Sequence, residues 1–107
     1  MPTFDERERS EEAKFKHDQE LAFKVRNRRN KLFGLWVARE FLGLEGEDAA
    51  AYAKDVVIAD FEGPGDDDMM GKVKADLAAR NIEVSDHLLR KHLAECEAKA
   101  KEQIKHE

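Results

Sequence analysis

The sequence is short of cysteine and proline, and it has no excess of basic residues. One cysteine excludes an internal disulfide, and no segment is rich in glycine or serine or repeats internally. Nineteen basic residues against 24 acidic ones give a formal net charge of −5, which argues against nucleic acid or an anionic membrane as the main partner. No apolar run reaches the length of a signal peptide or a membrane span, so the sequence predicts a cytoplasmic protein that does not insert into a membrane.

The residues that are abundant favour helices. Charged residues make up 40% of the 107 positions, and alanine, glutamate, lysine, leucine and aspartate dominate, as they do in helical proteins. No segment sustains an alternation of apolar and polar residues, whereas apolar residues recur at helical spacings of three and four. A chain of this length forms one domain with a modest core. The sequence therefore predicts an all-α protein, a small assembly of four helices.

Glycine and proline mark the ends of the first two predicted helices. The first runs over about residues 4–42 and stops at Gly43 and Gly46. The second runs over about residues 47–62 and stops before Pro64, which stands between two glycines and cannot continue a helix. A long first helix followed by a shorter second one is the expected order.

Cap residues define the remaining two helices. Asp67 or Asp68 is expected to cap the third, Asn81 suits the left-handed residue that ends it, and Ser85 suits the cap of the fourth, which runs to the tail. The apolar stripes of the four helices predict the core. They comprise Leu21, Ala22, Val25, Leu32, Phe33 and Trp36; Tyr52, Val56, Val57 and Phe61; Met70, Val73 and Leu77; and Leu89, Leu93, Cys96, Ala100 and Gln103 or Ile104.

The first half of the predicted first helix has almost no apolar surface. Residues 3–20 read "TFDERERSEEAKFKHDQE", in which Thr3 and Glu6 fit a capping box but only two phenylalanines and one alanine are apolar. Such a helix lacks the stripe that packing within its own domain needs. The sequence therefore predicts an N-terminal arm over residues 1–19, mobile when free, and a four-helix domain over residues 20–107.

Other candidate sites have simpler explanations. The stretch "KVRNRRNK", residues 24–31, is expected to be the solvated face of an amphipathic helix and not a phosphate-binding patch. His92 and Cys96 stand four residues apart, but a structural zinc site needs four ligands, and no second pair is present. "GDDDMM" lacks the spaced oxygen ligands of a calcium loop, and no glycine-rich phosphate loop occurs. We therefore expect no metal, no cofactor and no catalysis.

Blocks along nearly the whole chain resemble one protein family. The blocks are "TFDERE", "EAKFKHDQELAFK", "RRNKLFGLW", "YAKDVVIADFEGPGDDD", "KVKADL" and "VSDH", and they are similar to the ATPase inhibitor zeta subunit of α-proteobacteria. The resemblance implies a four-helix fold and inhibition of ATP hydrolysis by the catalytic head of the rotary F-type ATP synthase. It also implies that the N-terminal segment wedges at a catalytic α/β interface near the central stalk. The protein would then lie at the inner membrane when bound.

The resemblance places the partner-binding residues in the arm. Two phenylalanines about three helical turns apart would be the apolar anchors, and the charged residues between them would supply complementarity. The expected set is Phe4, Arg7, Glu8, Arg9, Glu12, Lys14 and Phe15. From the residues alone, a helical adaptor that binds another protein through the same arm stays open, and a nucleic-acid binder through residues 24–31 comes third.

Overall fold

The computed structural model of the protein describes residues 4–63 and 65–107, with side chains described from residue 17 onward. Its four helices are α1 (Phe4–Glu40), α2 (Gly46–Asp60), α3 (Asp67–Ala79) and α4 (Asp86–Lys105). The described residues contain no strand. The predicted all-α, four-helix fold with a long first helix is confirmed, while Thr3 and Pro64 lie outside the described residues.

The helix ends follow from local backbone chemistry. Gly43 adopts a φ of 65°, which a residue with a side chain rarely does, and Leu44 N–H donates to the Ala38 carbonyl at 2.9 Å after the chain has reversed. Asn81 ends α3 with a φ of 58°, as expected. The Ser85 hydroxyl accepts from the Leu88 N–H at 3.1 Å, which confirms the predicted cap of α4.

The cap of α3 differs from the prediction. Asp66, not Asp67 or Asp68, stands at the cap position, and its side chain makes no capping hydrogen bond. Its carboxylate instead accepts a hydrogen bond from Arg29 of α1 at 2.7 Å. An ion pair between elements has therefore replaced a local cap.

Helix α1 is the central element. It packs against both α2 and α4, and α3 packs against α2. The apolar core lies between these helices, and its buried members include most of the predicted residues of α3 and α4. The cluster consists of Phe33, Val37, Leu42, Val56, Met69, Met70, Val73, Leu77, Leu89, Leu93 and Cys96.

The buried face of α1 is wider than the apolar stripe predicted. Leu21 and Ala22 are exposed, and Trp36 is only half-buried. The fully buried positions include Val37 and the polar Asn30, which lie to one side of the predicted stripe. The reason is that α1 lies between two helices, so the side that meets α2 also becomes interior.

The end of α2 is a second difference from the prediction. Phe61 was expected in the core, but it stands just beyond the last residue of α2 and is 58% exposed. The next position inward, Asp60, is buried instead. The polar Asp60 is therefore interior and the aromatic Phe61 is exposed, which is the reverse of what hydrophobicity alone predicts.

Gly34 allows α1 and α2 to approach closely. A Cβ atom at this position would lie 2.7 Å from the Cα atom of Ala53, a backbone atom that cannot turn aside. Since Gly34 is itself buried, the close approach has a packing role. By contrast, a Cβ atom at Gly71 in α3 would meet nothing within 4 Å.

Replacing these two glycines by alanine is expected to have opposite effects. Gly34→Ala gains about 1 kcal/mol of helix propensity but loses roughly 1 to 3 kcal/mol to the clash, so unfolding in urea should occur at lower denaturant. Gly71→Ala gains helix propensity without a steric clash, so it should raise the free energy of unfolding by roughly 0.5 to 1 kcal/mol. A Gly34→Ala protein that is more stable than the wild type would show that the helices are not in tight contact here.

Candidate partner-binding site

The seven predicted partner-binding residues belong to the same helix whose later residues pack in the core. Their backbone belongs to α1, which continues unbroken to Glu40, but their side chains lie outside those that the structure describes. The roles of Phe4, Arg7, Glu8, Arg9, Glu12, Lys14 and Phe15 therefore stay predictions. The structure instead describes the segment that follows them and its attachment to the bundle.

We call residues 17–24 the arm root. Every side chain in it is exposed, although its backbone is helical throughout. Two of the exposed side chains, Leu21 and Phe23, are large and apolar. The arm root is thus a helical segment whose side chains are all largely accessible to solvent.

The most exposed aromatic residues of the arm root and the bundle lie side by side. Phe23 is 54% exposed, and its ring centroid lies 5.8 Å from that of Phe61, with the two rings tilted by 32°. Ile58, one turn before Phe61 in α2, is also exposed. The sequence does not predict this pair, because hydrophobic spacing places Phe61 in the core and no pattern marks Phe23 as a site residue.

Directly after the arm root, a buried carboxylate attaches α1 to α2. Asp60 is 4% exposed and accepts hydrogen bonds from Arg26 Nε at 2.5 Å and Arg26 Nη2 at 2.9 Å. Asn30, which is fully buried, donates its Nδ2 to the same carboxylate at 2.8 Å. Because the guanidinium donates two hydrogen bonds and the amide donates a third, the positions of Arg26 and Asn30 relative to the carboxylate are fixed.

The network continues into the loop between α2 and α3. Arg26 Nη2 also donates to the Gly65 carbonyl at 2.8 Å. Arg29 donates to Asp66 at 2.7 Å and to the Asn30 Oδ1 at 3.0 Å. Among the described side chains, no buried nitrogen or oxygen lacks a partner. We call these five residues, Arg26, Arg29, Asn30, Asp60 and Asp66, the polar clamp.

The polar clamp corrects the interpretation of residues 24–31 as a solvated face. Lys24 and Lys31 are exposed as expected, but Arg29 and Asn30 are buried and Arg26 is half-buried. Positions 29 and 30 follow position 26 by three and four residues and so lie on the same helix face as Arg26, which meets α2. The signal that could have shown this is Asp60, an acid in the predicted second helix at a position expected to face inward.

The hydrogen bonds at Asp60 decide its charge state. Burial by itself raises the pKa of this carboxyl, but hydrogen bonds from Arg26 and Asn30 outweigh burial, and the pKa falls below its ordinary value of 3.8. Asp60 is therefore ionised at neutral pH. The clamp is an ion pair supported by an amide.

On its other side, α1 contacts α4 through an aromatic stack. The rings of Trp36 and His92 lie 3.7 Å apart at their centroids and 15° from parallel. His92 Nδ1 lies 3.3 Å from Glu95, and burial is the main reason that the pKa of His92 falls below 6.5. Cys96, next to it on α4, is buried, and burial raises the pKa of its thiol to about 11.

The described residues hold no group of three or more His, Cys, Asp or Glu side chains that could bind a metal ion. His92 packs on Trp36, and Cys96 belongs to the core. Both residues therefore have packing roles.

A comparison with protein families accounts for nearly the whole chain. The family of ATPase inhibitor subunit zeta matches residues 1–103, which include both the arm and the clamp. The chain belongs to this family. No curated protein matches it.

Membership of the zeta family indicates a regulatory subunit that acts on an ATPase. In this chain, none of the described helices is long and apolar enough to cross a membrane.

Removing the clamp carboxylate should destabilise the fold. Asp60→Ala leaves the buried Asn30 amide and the Arg26 guanidinium without their acceptor, and we expect a loss of about 2 to 4 kcal/mol, moderated because Arg26 is partly exposed. Urea unfolding at neutral pH measures it, with Asp55→Ala, an exposed acid in the same helix, as the control.

The pH dependence of this loss checks its cause. Because the folded-state pKa of Asp60 lies below 3.8, the carboxylate stabilises the fold above that pH, and this contribution disappears as the pH falls through the lower folded-state value. The difference between wild type and Asp60→Ala should therefore shrink only below about pH 4. A difference that is already small at neutral pH would mean that the clamp does not hold α1 to α2.

The aromatic stack predicts a fluorescence titration. Trp36 is the chain's one tryptophan, and a protonated imidazole in contact quenches indole emission, so emission should drop with a midpoint below 6.5. Since the folded-state pKa is lowered, the same protonation should reduce stability as the pH falls below 6.5. His92→Gln should abolish the step, whereas His87→Gln, at an exposed position, should keep it. A step that survives in His92→Gln would contradict the assignment.

Proposed function

We propose that this protein inhibits ATP hydrolysis by the catalytic head of the F-type ATP synthase, and that residues 1–19 form the inhibitory arm. The observation that carries the proposal is the family match, which covers residues 1–103 and so includes the arm. The proposed position of the arm is a catalytic α/β interface near the central stalk. When bound, the protein would lie on the cytoplasmic side of the inner membrane as a peripheral subunit.

The composition of the arm supports a role at a partner surface. Its charged residues, its capping box and its few apolar side chains favour a helix that has no docking face of its own. In the structure, α1 begins at Phe4, and its described side chains stay exposed through Lys24. A partner would supply the missing apolar surface, and a segment of this kind can order when it binds.

Two aromatic anchors and the charges between them would provide the contacts. Phe4 and Phe15 fall on one side of a helix, and aromatic anchors commonly dominate the energy of a helix bound in a groove. Arg7, Arg9 and Lys14 would pair with acidic groups of the head, and Glu8 and Glu12 with basic ones.

Inhibition in this proposal is mechanical. The catalytic interfaces of a rotary ATPase pass through several conformations in each cycle, and a helix that binds one of them favourably shifts the population toward it. A wedge that holds one interface therefore stops the whole cycle. No catalysis by this chain is needed.

The polar clamp supports this function by attaching α1 firmly to the bundle. Arg26 lies 22 positions after Phe4, which corresponds to about 33 Å along a continuous helix. A hydrogen-bonded contact close to the start of the packed part of α1 fixes the direction in which such a helix leaves the bundle. In this proposal, the four-helix domain orients the arm, and the arm makes the inhibitory contact.

Removal of the arm should separate inhibition from stability. A chain that lacks residues 1–19 should keep its fold, because the side chains of the arm root that follow are exposed and the core lies beyond Arg26. It should nevertheless fail to suppress ATP hydrolysis by the purified synthase. The measurements are circular dichroism melting and a hydrolysis assay on the same preparations.

A milder variant gives the same comparison in the full-length chain. Phe4→Ala with Phe15→Ala should raise the concentration needed for half-maximal inhibition by about tenfold or more without changing the melting curve. Leu88→Ala, at an exposed apolar position of α4, is the control and should inhibit like the wild type. A truncated chain that still inhibits fully would place the active surface in the four-helix body and refute the proposal.

A further inference from the structure

We propose that a groove between α1, α2 and α4 is a second contact with the same ATPase head, and that it receives an apolar surface rimmed by carboxylates. The groove has a volume of about 550 Å³, and its apolar lining consists of Phe23, Val57 and Ile104, one residue from each helix. We call it the three-helix groove. The inference rests on the proposed function, because it names the same partner.

The apolar lining of the groove extends onto exposed aromatic surface. Phe23 lies against Phe61, and both rings are more than half exposed, at 54% and 58%. Ile58, on α2, is the third exposed apolar side chain of this surface. Large apolar side chains gathered in this way on a small, highly charged chain are typical of an interaction site.

The charges around the groove specify the chemistry of the partner. Lys24, Arg28 and Lys31 line it together with one acid, Glu107, in a chain that has five more acidic residues than basic ones. Glu107 and Gln103 pair with Arg28. Lys24 and Lys31 are exposed and take part in no ion pair within residues 17–63 and 65–107. Two exposed ammonium groups without an ion-pair partner among the described side chains, beside apolar residues, favour a partner surface with carboxylates at its edge.

The position of the groove identifies which partner reaches it. Phe23 is four residues after the end of the arm at residue 19, which is about 6 Å along an α-helix. Helix α1 is continuous through this segment, so a protein that encloses the arm to its end also reaches the level of Phe23. The head that binds the arm is therefore the partner that can cover the groove.

The size of the surface argues against a second copy of this chain. A stable interface needs roughly 20 to 30 residues on each side. Eight residues line this groove, and Ile58 and Phe61 bring the total to ten. Such a surface is too small to hold a dimer by itself. As an extension of the arm's interface it is large enough to add affinity.

The test compares groove variants with matched controls in full-length chains. Phe23→Ala with Phe61→Ala should raise the concentration needed for half-maximal inhibition of the purified ATPase head by about tenfold, while saturating protein still inhibits completely because the arm is intact. Leu88→Ala, another exposed apolar position, should change neither quantity. Since both phenylalanines are more than half exposed, the double variant should melt like the wild type.

Charge reversal tests the chemistry assigned to the partner. Lys24→Glu with Lys31→Glu should weaken binding to the immobilised head and reduce its dependence on salt, whereas Lys91→Glu, exposed on α4, should do neither. Binding that is unchanged within about twofold in both groove variants would overturn the proposal. So would sedimentation showing a wild-type dimer that the Phe23→Ala, Phe61→Ala variant abolishes.

The two proposals fail in different ways. If the arm is not the inhibitory segment, the chain without residues 1–19 still inhibits, whatever the groove variants do. If the groove is not a contact, the groove variants inhibit at wild-type concentrations while the arm variants do not. Loss of inhibition on removal of residues 1–19 reports the arm, and the concentration that the groove variants require reports the groove.

Discussion

The structure depends on one buried carboxylate, that of Asp60. It lies at the end of α2 and receives three hydrogen bonds from Arg26 and Asn30, at the level where α1 changes from an exposed helix to a packed one. A buried ion pair contributes less to stability than apolar packing of the same volume often does, because both charges must leave water. However, the carboxylate accepts all three hydrogen bonds only when Arg26 and Asn30 lie in one particular arrangement around it. The value of the clamp in this fold is therefore geometric, since it determines which face of α1 meets α2.

The same helix serves the core and the proposed inhibitory site. After the clamp, α1 packs through Phe33, Gly34 and Val37 and contacts α4 by the Trp36 stack; before it, every described side chain through Lys24 is exposed. A continuous helix transmits orientation along its length, so the contacts of its packed half define the direction of its other half. The family match spans both halves. In the proposed function, one helix thus carries both the residues that pack in the bundle and the residues that bind the head.

The sequence predicted the number, order and approximate bounds of the helices, because spacings of three and four and strong punctuation at Gly43, Asn81 and Ser85 agree with each other. It did not predict the clamp. A run of bases next to an apolar stripe looks the same whether it faces water or a carboxylate on another helix, and only tertiary packing distinguishes the two. The exposed Phe61 was missed for the complementary reason, since hydrophobicity does not tell which side of a helix end faces the core. The assignment of function depended on resemblance over the whole chain, because no local motif carries chemistry.

The central claim is that residues 1–19 contact the catalytic subunits of the ATP synthase, and site-specific photo-crosslinking tests it most directly. A photoreactive amino acid would replace Phe15 in one chain and Leu88, on the exposed side of α4, in another. Each chain would be irradiated with the purified synthase under inhibiting conditions, and the crosslinked peptides would be identified by mass spectrometry. We predict that position 15 crosslinks to the α or β subunit and that position 88 does not. Crosslinks from position 88 alone, with none from position 15, would contradict the account.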